Sequence, residues 1–229
     1  MIEVTYIDHM GSDLSVVNAA RVSFGKKSKM MVTDHVLGKE ELRPDDVKLI
    51  SYLARHHHKS PFNHCFATFH VKAPIFVARQ LQKHEYMPWN EISRRYVDDE
   101  PEFYRPEVWR GRSKDKKQGS EGEVGLIDLG GAFPLSPNAL QMLADGKALE
   151  TYRNFIFAGV APEQARMVLP QSVMTEWYWS GSLYAFAKMC GLRLKPDVQA
   201  ETRYIAEEIE DSMTELFPES WTALRAYAE

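Results

Sequence analysis

The sequence predicts an α+β fold: a small, mainly antiparallel or mixed sheet packed with several helices in a single domain. Three observations carry this expectation. Two runs, IEVTYI near the start and CFATFHVKA at 65–73, read as strands, helical patterns fill most of the remainder, and the two kinds of element are segregated rather than strictly alternating. With 229 residues, 44% of them hydrophobic, the chain has enough apolar material for one compact core, and no internal repeat is visible.

The elements follow in order. IEVTYI alternates as a strand does, and Ser12 or Asp13 is placed to cap a short helix through LSVVNAARV. Pro44, Asp45 and Asp46 open a helix in which Val47, Ile50 and Leu53 recur at helical spacing, and Pro61 predicts its end near HHHKSP. CFATFHVKA is rich in β-branched and aromatic residues, and Pro74 is placed to begin a helix through IFVARQLQ. From Asp98 to about 136 the chain is rich in Gly, Pro, Lys and Glu and reads as a long, partly mobile loop. Beyond it the expectation is mostly helical: NALQMLADGKALETYRNFIFAG closing on Gly159, PEQARMVL between Pro162 and Pro170, MTEWYWSGSLYAFAKMCG closing on Gly191, and two more helices.

A formal charge of −4 with acids and bases interspersed indicates neither a nucleic-acid groove nor a membrane surface protein, so a basic site must be local. Cys65 and Cys190, the only cysteines, lie in apolar runs and read as reduced core thiols. No stretch reaches the roughly 18 apolar residues of a membrane span and the start has no leader pattern, so a cytoplasmic protein is expected.

The segment QKHEYMPWNEISRRY, 82–96, gathers charge around Trp89 and two tyrosines. Arg79, Lys83, Arg94, Arg95, Arg166 and Arg193 are candidates for anion recognition, because guanidinium forks match phosphate and imide oxygens; ordinary surface pairing, such as Glu91 with Arg95 four residues on, is the alternative, and spacing leaves both open. Ser93 has no histidine partner fixed by sequence and reads as a hydrogen-bonding serine. His56, His57 and His58 point in different directions on a helix with no completing Cys or carboxylate, which predicts no metal site; an exposed helix end and phosphate contacts from His58 and Ser60 are the two readings. Neither G-x-G-x-x-G after a strand nor a P-loop is present.

Several ordered segments then resemble one family: MGSDLSVVNAARVSF, HHHKSPFNHCFATFHVKAPIFVARQ, NEISRRY, EFY, QGS, QARMVLP and LRLKPDVQAETR are similar to the flavin-dependent thymidylate synthases. The family signature is Arg-His-Arg, seven residues, then Ser; this chain has Lys83-His84-Glu85, seven residues, then Ser93. The resemblance implies methylation of deoxyuridylate (dUMP) with methylenetetrahydrofolate, FAD and NADPH, in a homotetramer whose active sites are shared between subunits. It implies that Gln80, Glu91, Ser93, Arg94, Arg95 and Arg166 face the nucleotide, and that Arg193 polarises the uracil ring. It further implies flavin contacts at Ser23, His58, Ser60, Asn63, Lys83, His84, Glu85, Glu91, Ser182, Tyr184 and Lys188. Arg193 and Ser93 form the implied catalytic set, with no protein nucleophile. Glu85 changes the local charge by about two units relative to arginine, with Lys59, Lys83, Arg94 and Lys188 as the available compensating cations. A hydroxymethylated deoxypyrimidine product and a catalytically silent nucleotide- or flavin-binding protein are the alternatives.

Overall fold

A computed structural model of the chain describes residues 1–97, 99–115, 119–131 and 133–227. In chain order its elements are β1 (Glu3–Met10), α1 (Asp13–Arg21), β2 (Met31–Asp34), β3 (Lys39–Glu41), α2 (Pro44–Arg55), α3 (Lys59–Phe62), β4 (Phe66–Pro74) and α4 (Ile75–Leu81). They continue with β5 (Trp89–Glu91), β6 (Arg110–Arg112), β7 (Ser120–Glu123), α5 (Pro137–Phe157), α6 (Pro162–Ala165), β8 (Met174–Ser182), α7 (Leu183–Arg193), α8 (Ala200–Leu216) and α9 (Pro218–Ala226). The expected α+β class holds.

The main sheet runs β1-β4-β8-β5 with antiparallel pairing throughout. Its centre is the uninterrupted β4–β8 ladder from Phe66↔Ser182 to Pro74↔Met174. Alternation makes one face apolar: Ala67, Phe69, Val71 and Ala73 of β4 are buried beside Trp177 and Trp179 of β8. That face packs on α7 and on α8, whose Ile205, Ile209 and Met213 recur at helical spacing.

The expectation of a helix over MTEWYWSGSLYAFAKMCG is corrected. Its first half is the strand β8, because Thr175, Trp177, Trp179 and Gly181 alternate with Glu176, Tyr178 and Ser180, and three of the first six residues are bulky aromatics suited to a pleated surface. Ser182 divides strand from helix by accepting from the Ala185 amide at 3.2 Å, and α7 then runs past Gly191 to Arg193. Pro74 ends β4 and caps α4 instead of opening it. PEQARMVL is a four-residue helix followed by a 3-10 turn at Arg166–Val168.

Two aspartates expected to serve local helix ends instead make distant contacts. Ser12 occupies the cap of α1, while Asp13 accepts from the Glu219 and Ser220 amides at 3.0 and 2.9 Å and so caps α9. Asp46, fully buried, accepts from Arg21 Nε and the Ser28 hydroxyl, each at 2.9 Å. The expected loop is also more ordered than composition indicated: it carries the β6–β7 hairpin and bridges Phe103↔Val173 and Ile127↔Leu135. Residues 98, 116–118 and 132 of that loop lie outside the described residues. The hairpin β2–β3 was not anticipated.

Candidate active site

β4 leads into α4 and β8 leads into α7, and the C-terminal ends of these two helices meet. Arg193, the last residue of α7, donates through Nη2 to the Gln80 carbonyl at 3.0 Å, one of the carbonyls that the end of α4 leaves without an intrahelical partner. Its Nε donates to His84 Nε2, also at 3.0 Å. Beside this junction opens a cleft of about 680 Å³ lined by Arg79, Gln80, Gln82, Lys83 and Arg193. Three of those five side chains are cations, and among the described residues none of them is in an ion pair. A cleft with unpaired cations and two amides is chemically suited to an anionic, hydrogen-bonding ligand.

The Gln80 side chain is held from α8. Its amide donates to Gln199 Oε1, and the hydroxyl of fully buried Thr202 donates to its Oε1 at 3.3 Å. Gln199 and Thr202 were not singled out from the sequence, although both lie in the quoted segment LRLKPDVQAETR. Gln199 also lines a neighbouring pocket of about 430 Å³, where Arg110 Nη2 donates to both carboxylate oxygens of buried Glu201 at 2.8 and 2.6 Å. Burial alone raises the Glu201 carboxyl, but the Arg110 guanidinium outweighs it and holds the group below its ordinary range.

His84 is half-buried near Trp179, ring centroids 6.4 Å apart. Burial, then the charges of Arg193 and Lys188, push its imidazole down to about 4. Lys83 and Glu85 on either side are exposed, and Tyr86 takes a left-handed φ of 60° with its side chain 90% exposed. A bulky residue in that backbone region marks a strained turn beside the cleft.

The segment after β5 is a separate hydrogen-bonded unit. Ser93 Oγ accepts from the Arg95 amide at 3.3 Å and from Arg95 Nε at 3.2 Å, and the Arg95 guanidinium lies 5.0 Å from the Tyr96 ring centroid. Ser93 thus orients an arginine and has no histidine base beside it among these contacts. Arg94 donates to the Asp99 carbonyl at 2.5 Å. Glu91 is occupied on both oxygens, by Thr175 Oγ1 at 2.7 Å and Trp89 Nε1 at 3.1 Å, and Trp89 in turn stacks on Trp177 at 4.3 Å.

At the other end of α7, Ser182 Oγ donates to Asn63 Oδ1 at 2.7 Å, and Lys59 Nζ lies 5.4 Å from the Tyr184 ring centroid. His58 stacks on Tyr52, and Ser60 accepts the Asn63 amide through its backbone carbonyl. Tyr184 and Lys188, four apart, share one face of α7 and join this cluster to His84 and Arg193. The eleven residues of α7 separate the two ends by about 16 Å at 1.5 Å per residue.

No described contact joins Ser23, Arg95 or Arg166 to this line. Ser23 is exposed in the 3-10 turn after α1, and Arg166 donates to the carbonyl of its near neighbour Glu163 at 3.2 Å. Among the described residues no three His, Cys, Asp or Glu side chains converge as a metal site. Both cysteines are free and buried; burial pushes the Cys65 thiol up to about 11 and raises Cys190 well above its ordinary value. Neither is poised as a thiolate. No helix of the described residues is long and apolar enough to cross a membrane.

Comparison with known proteins adds an independent finding. A family model described as thymidylate synthase complementing protein, Thy1, matches residues 5–219. The chain is similar to a flavin-dependent thymidylate synthase from Thermus thermophilus, 40% identical over 226 residues that cover 98% of this chain and 76% of the relative. A flavin-dependent thymidylate synthase from Ehrlichia ruminantium is 35% identical over 226 residues, covering 98% and 70%. Among solved structures, the UMP/dUMP methylase PolB from Streptomyces cacaoi bound with 5-Br dUMP aligns with a TM-score of 0.78 at 31% identity, over 100% of this chain and 96% of that one.

Proposed function

The chain belongs to the flavin-dependent thymidylate synthase family, and from that premise we propose that it converts dUMP to dTMP with methylenetetrahydrofolate as carbon donor and FAD reduced by NADPH as hydride source. The observation that carries this reading is the cleft at the meeting of α4 and α7, whose three cations have no ion-pair partner among the described residues, inside a chain related to that family over nearly its whole length.

The residues present fit an extended dinucleotide. Lys59 and Lys188 are exposed and, among the described residues, free of carboxylate partners, and Asn63, Ser182 and Tyr184 offer polar and aromatic contacts along the same helix. When bound, the flavin supplies the hydride and the folate supplies the one-carbon unit. The protein binds and orients. Arg193 has two N–H groups committed to His84 and Gln80, and its remaining donors face negative charge that grows on the pyrimidine toward the transition state. Gln80, held by Thr202 and Gln199, presents its amide to the base. Arg95, steadied by Ser93, contacts the nucleotide phosphate together with Arg94 and Arg166.

Among the described residues no direct contact joins Ser93, Arg95 or Arg166 to the Arg193 cleft within one chain, which fits a homotetramer with active sites completed across subunits. Exposed apolar side chains on α5, Met142, Leu143 and Phe157, provide material for such contacts. The deciding experiment is anaerobic incubation of the protein with dUMP, methylenetetrahydrofolate, FAD and NADPH. Formation of dTMP is expected. A hydroxymethylated nucleotide, or flavin binding with no product, would overturn the proposal in favour of one of the two alternatives.

A further inference from the structure

We infer that His84 is a positioning residue for Arg193: a neutral imidazole with its lone pair on Nε2 fixes the guanidinium plane against the cleft, so chemistry at the pyrimidine depends on an uncharged His84. The inference rests on the reading of Arg193 as the pyrimidine contact, and it assigns His84 a task that needs no flavin.

The geometry carries the argument. Arginine has only donors, so the 3.0 Å contact from Arg193 Nε makes His84 Nε2 an acceptor, and the ring proton must then sit on Nδ1. The second contact, from Nη2 to the Gln80 carbonyl, also at 3.0 Å, adds a fixed point on backbone. A planar group held at two points cannot swing about its Cδ–Nε bond without breaking both hydrogen bonds. Removing the His84 acceptor leaves the guanidinium hinged on one carbonyl.

The groups facing His84 do not support its protonated form. Lys188 and Arg193 approach from α7, Trp179 from β8, and Lys83 and Glu85 flank it in the chain. Among the described residues no carboxylate is within ion-pair distance of the ring. Burial and the two α7 cations together keep the imidazole neutral down to about 4. Protonation therefore turns the acceptor into a donor pointed at a cation, and the contact is lost.

The test reads the contact directly and then its effect on turnover. Nitrogen-15 NMR of histidine side chains in the flavin-free protein is expected to show His84 as the Nδ1–H tautomer, titrating near 4 and moving toward 6.5 in Arg193→Met. At saturating FAD and dUMP, His84→Leu is expected to lower kcat about tenfold to a hundredfold, as a misplaced catalytic contact does, with the dUMP Kd little changed. His84→Gln places an oxygen acceptor near the position of Nε2 and is expected to recover most of that loss. An Nε2–H tautomer, a titration indifferent to Arg193→Met, or full kcat in His84→Leu at saturating FAD would each overturn the inference. Should His84→Leu fail to fold, the NMR titration and His84→Gln still decide it. If the NMR coupling held while the wild-type protein made no dTMP, the functional reading would fall and the positioning of Arg193 by His84 would stand.

Discussion

The Ser182 hydroxyl donates to Asn63 Oδ1 at 2.7 Å while accepting the Ala185 amide at 3.2 Å. One side chain thus caps α7 and ties it to the turn after α3. Ser182→Ala should lower stability by about 1–2 kcal/mol, the range for a lost cap. Urea unfolding of the flavin-free protein measures this, and a midpoint equal to wild type would show that the cap contributes nothing.

Arg193 and Arg95 should separate in kinetics. Arg193→Ala is expected to lower kcat far more than it weakens dUMP binding, because charge on the ring grows toward the transition state. Arg95→Ala, which removes a phosphate contact, should mainly raise the dUMP Kd. Steady-state kinetics with direct nucleotide titration distinguishes them, and the reverse pattern would exchange the two roles.

The buried thiols should be dispensable for chemistry. Cys65 is raised to about 11 by burial and Cys190 well above its ordinary value, so neither supplies a thiolate near neutral pH. Cys65→Ser and Cys190→Ser should keep turnover apart from modest stability loss. A folded, flavin-loaded variant making no dTMP would point to covalent catalysis.

Acid should destabilise the fold through His84. The folded protein keeps this ring neutral down to about 4, while the unfolded chain takes up the proton near 6.5. The unfolded state therefore binds more protons in that window, and stability present above 6.5 is lost as pH falls toward 4. Because the ring is only half-buried, solvent screening moderates the effect. His84→Gln should flatten this part of the stability curve, measured by thermal unfolding across the same pH range.

Glu85 stands where the related signature has arginine, and it is exposed with no ion-pair partner among the described residues. Glu85→Arg should tighten FAD by no more than about tenfold, the scale of a screened surface charge, and leave turnover similar or lower. The gain should shrink at high salt. Conversion of an inactive protein into an efficient synthase by this change would mean the site was lost at this one residue.

The sequence by itself determined the α+β class, the strand β4, the helical spacing of α2, the buried thiols and the ordered segments that place the chain in its family. Those features are local: alternation, helical spacing and residue order are written along the chain. It also held the alternation of β8, which was masked because an aromatic strand runs without a break into an apolar helix and only Ser182 marks the boundary. Tertiary structure alone decided which polar group met which partner. Asp13 was legible as a helix cap, but its helix proved to be α9, 207 residues beyond it at Ser220. Arg193 and His84 were legible as site residues, but their mutual contact spans 109 positions. A buried or half-buried polar group must find a partner to offset its desolvation. That requirement fixes that a bond will form, while only the packing of α4 and α7 against α8 fixes with whom.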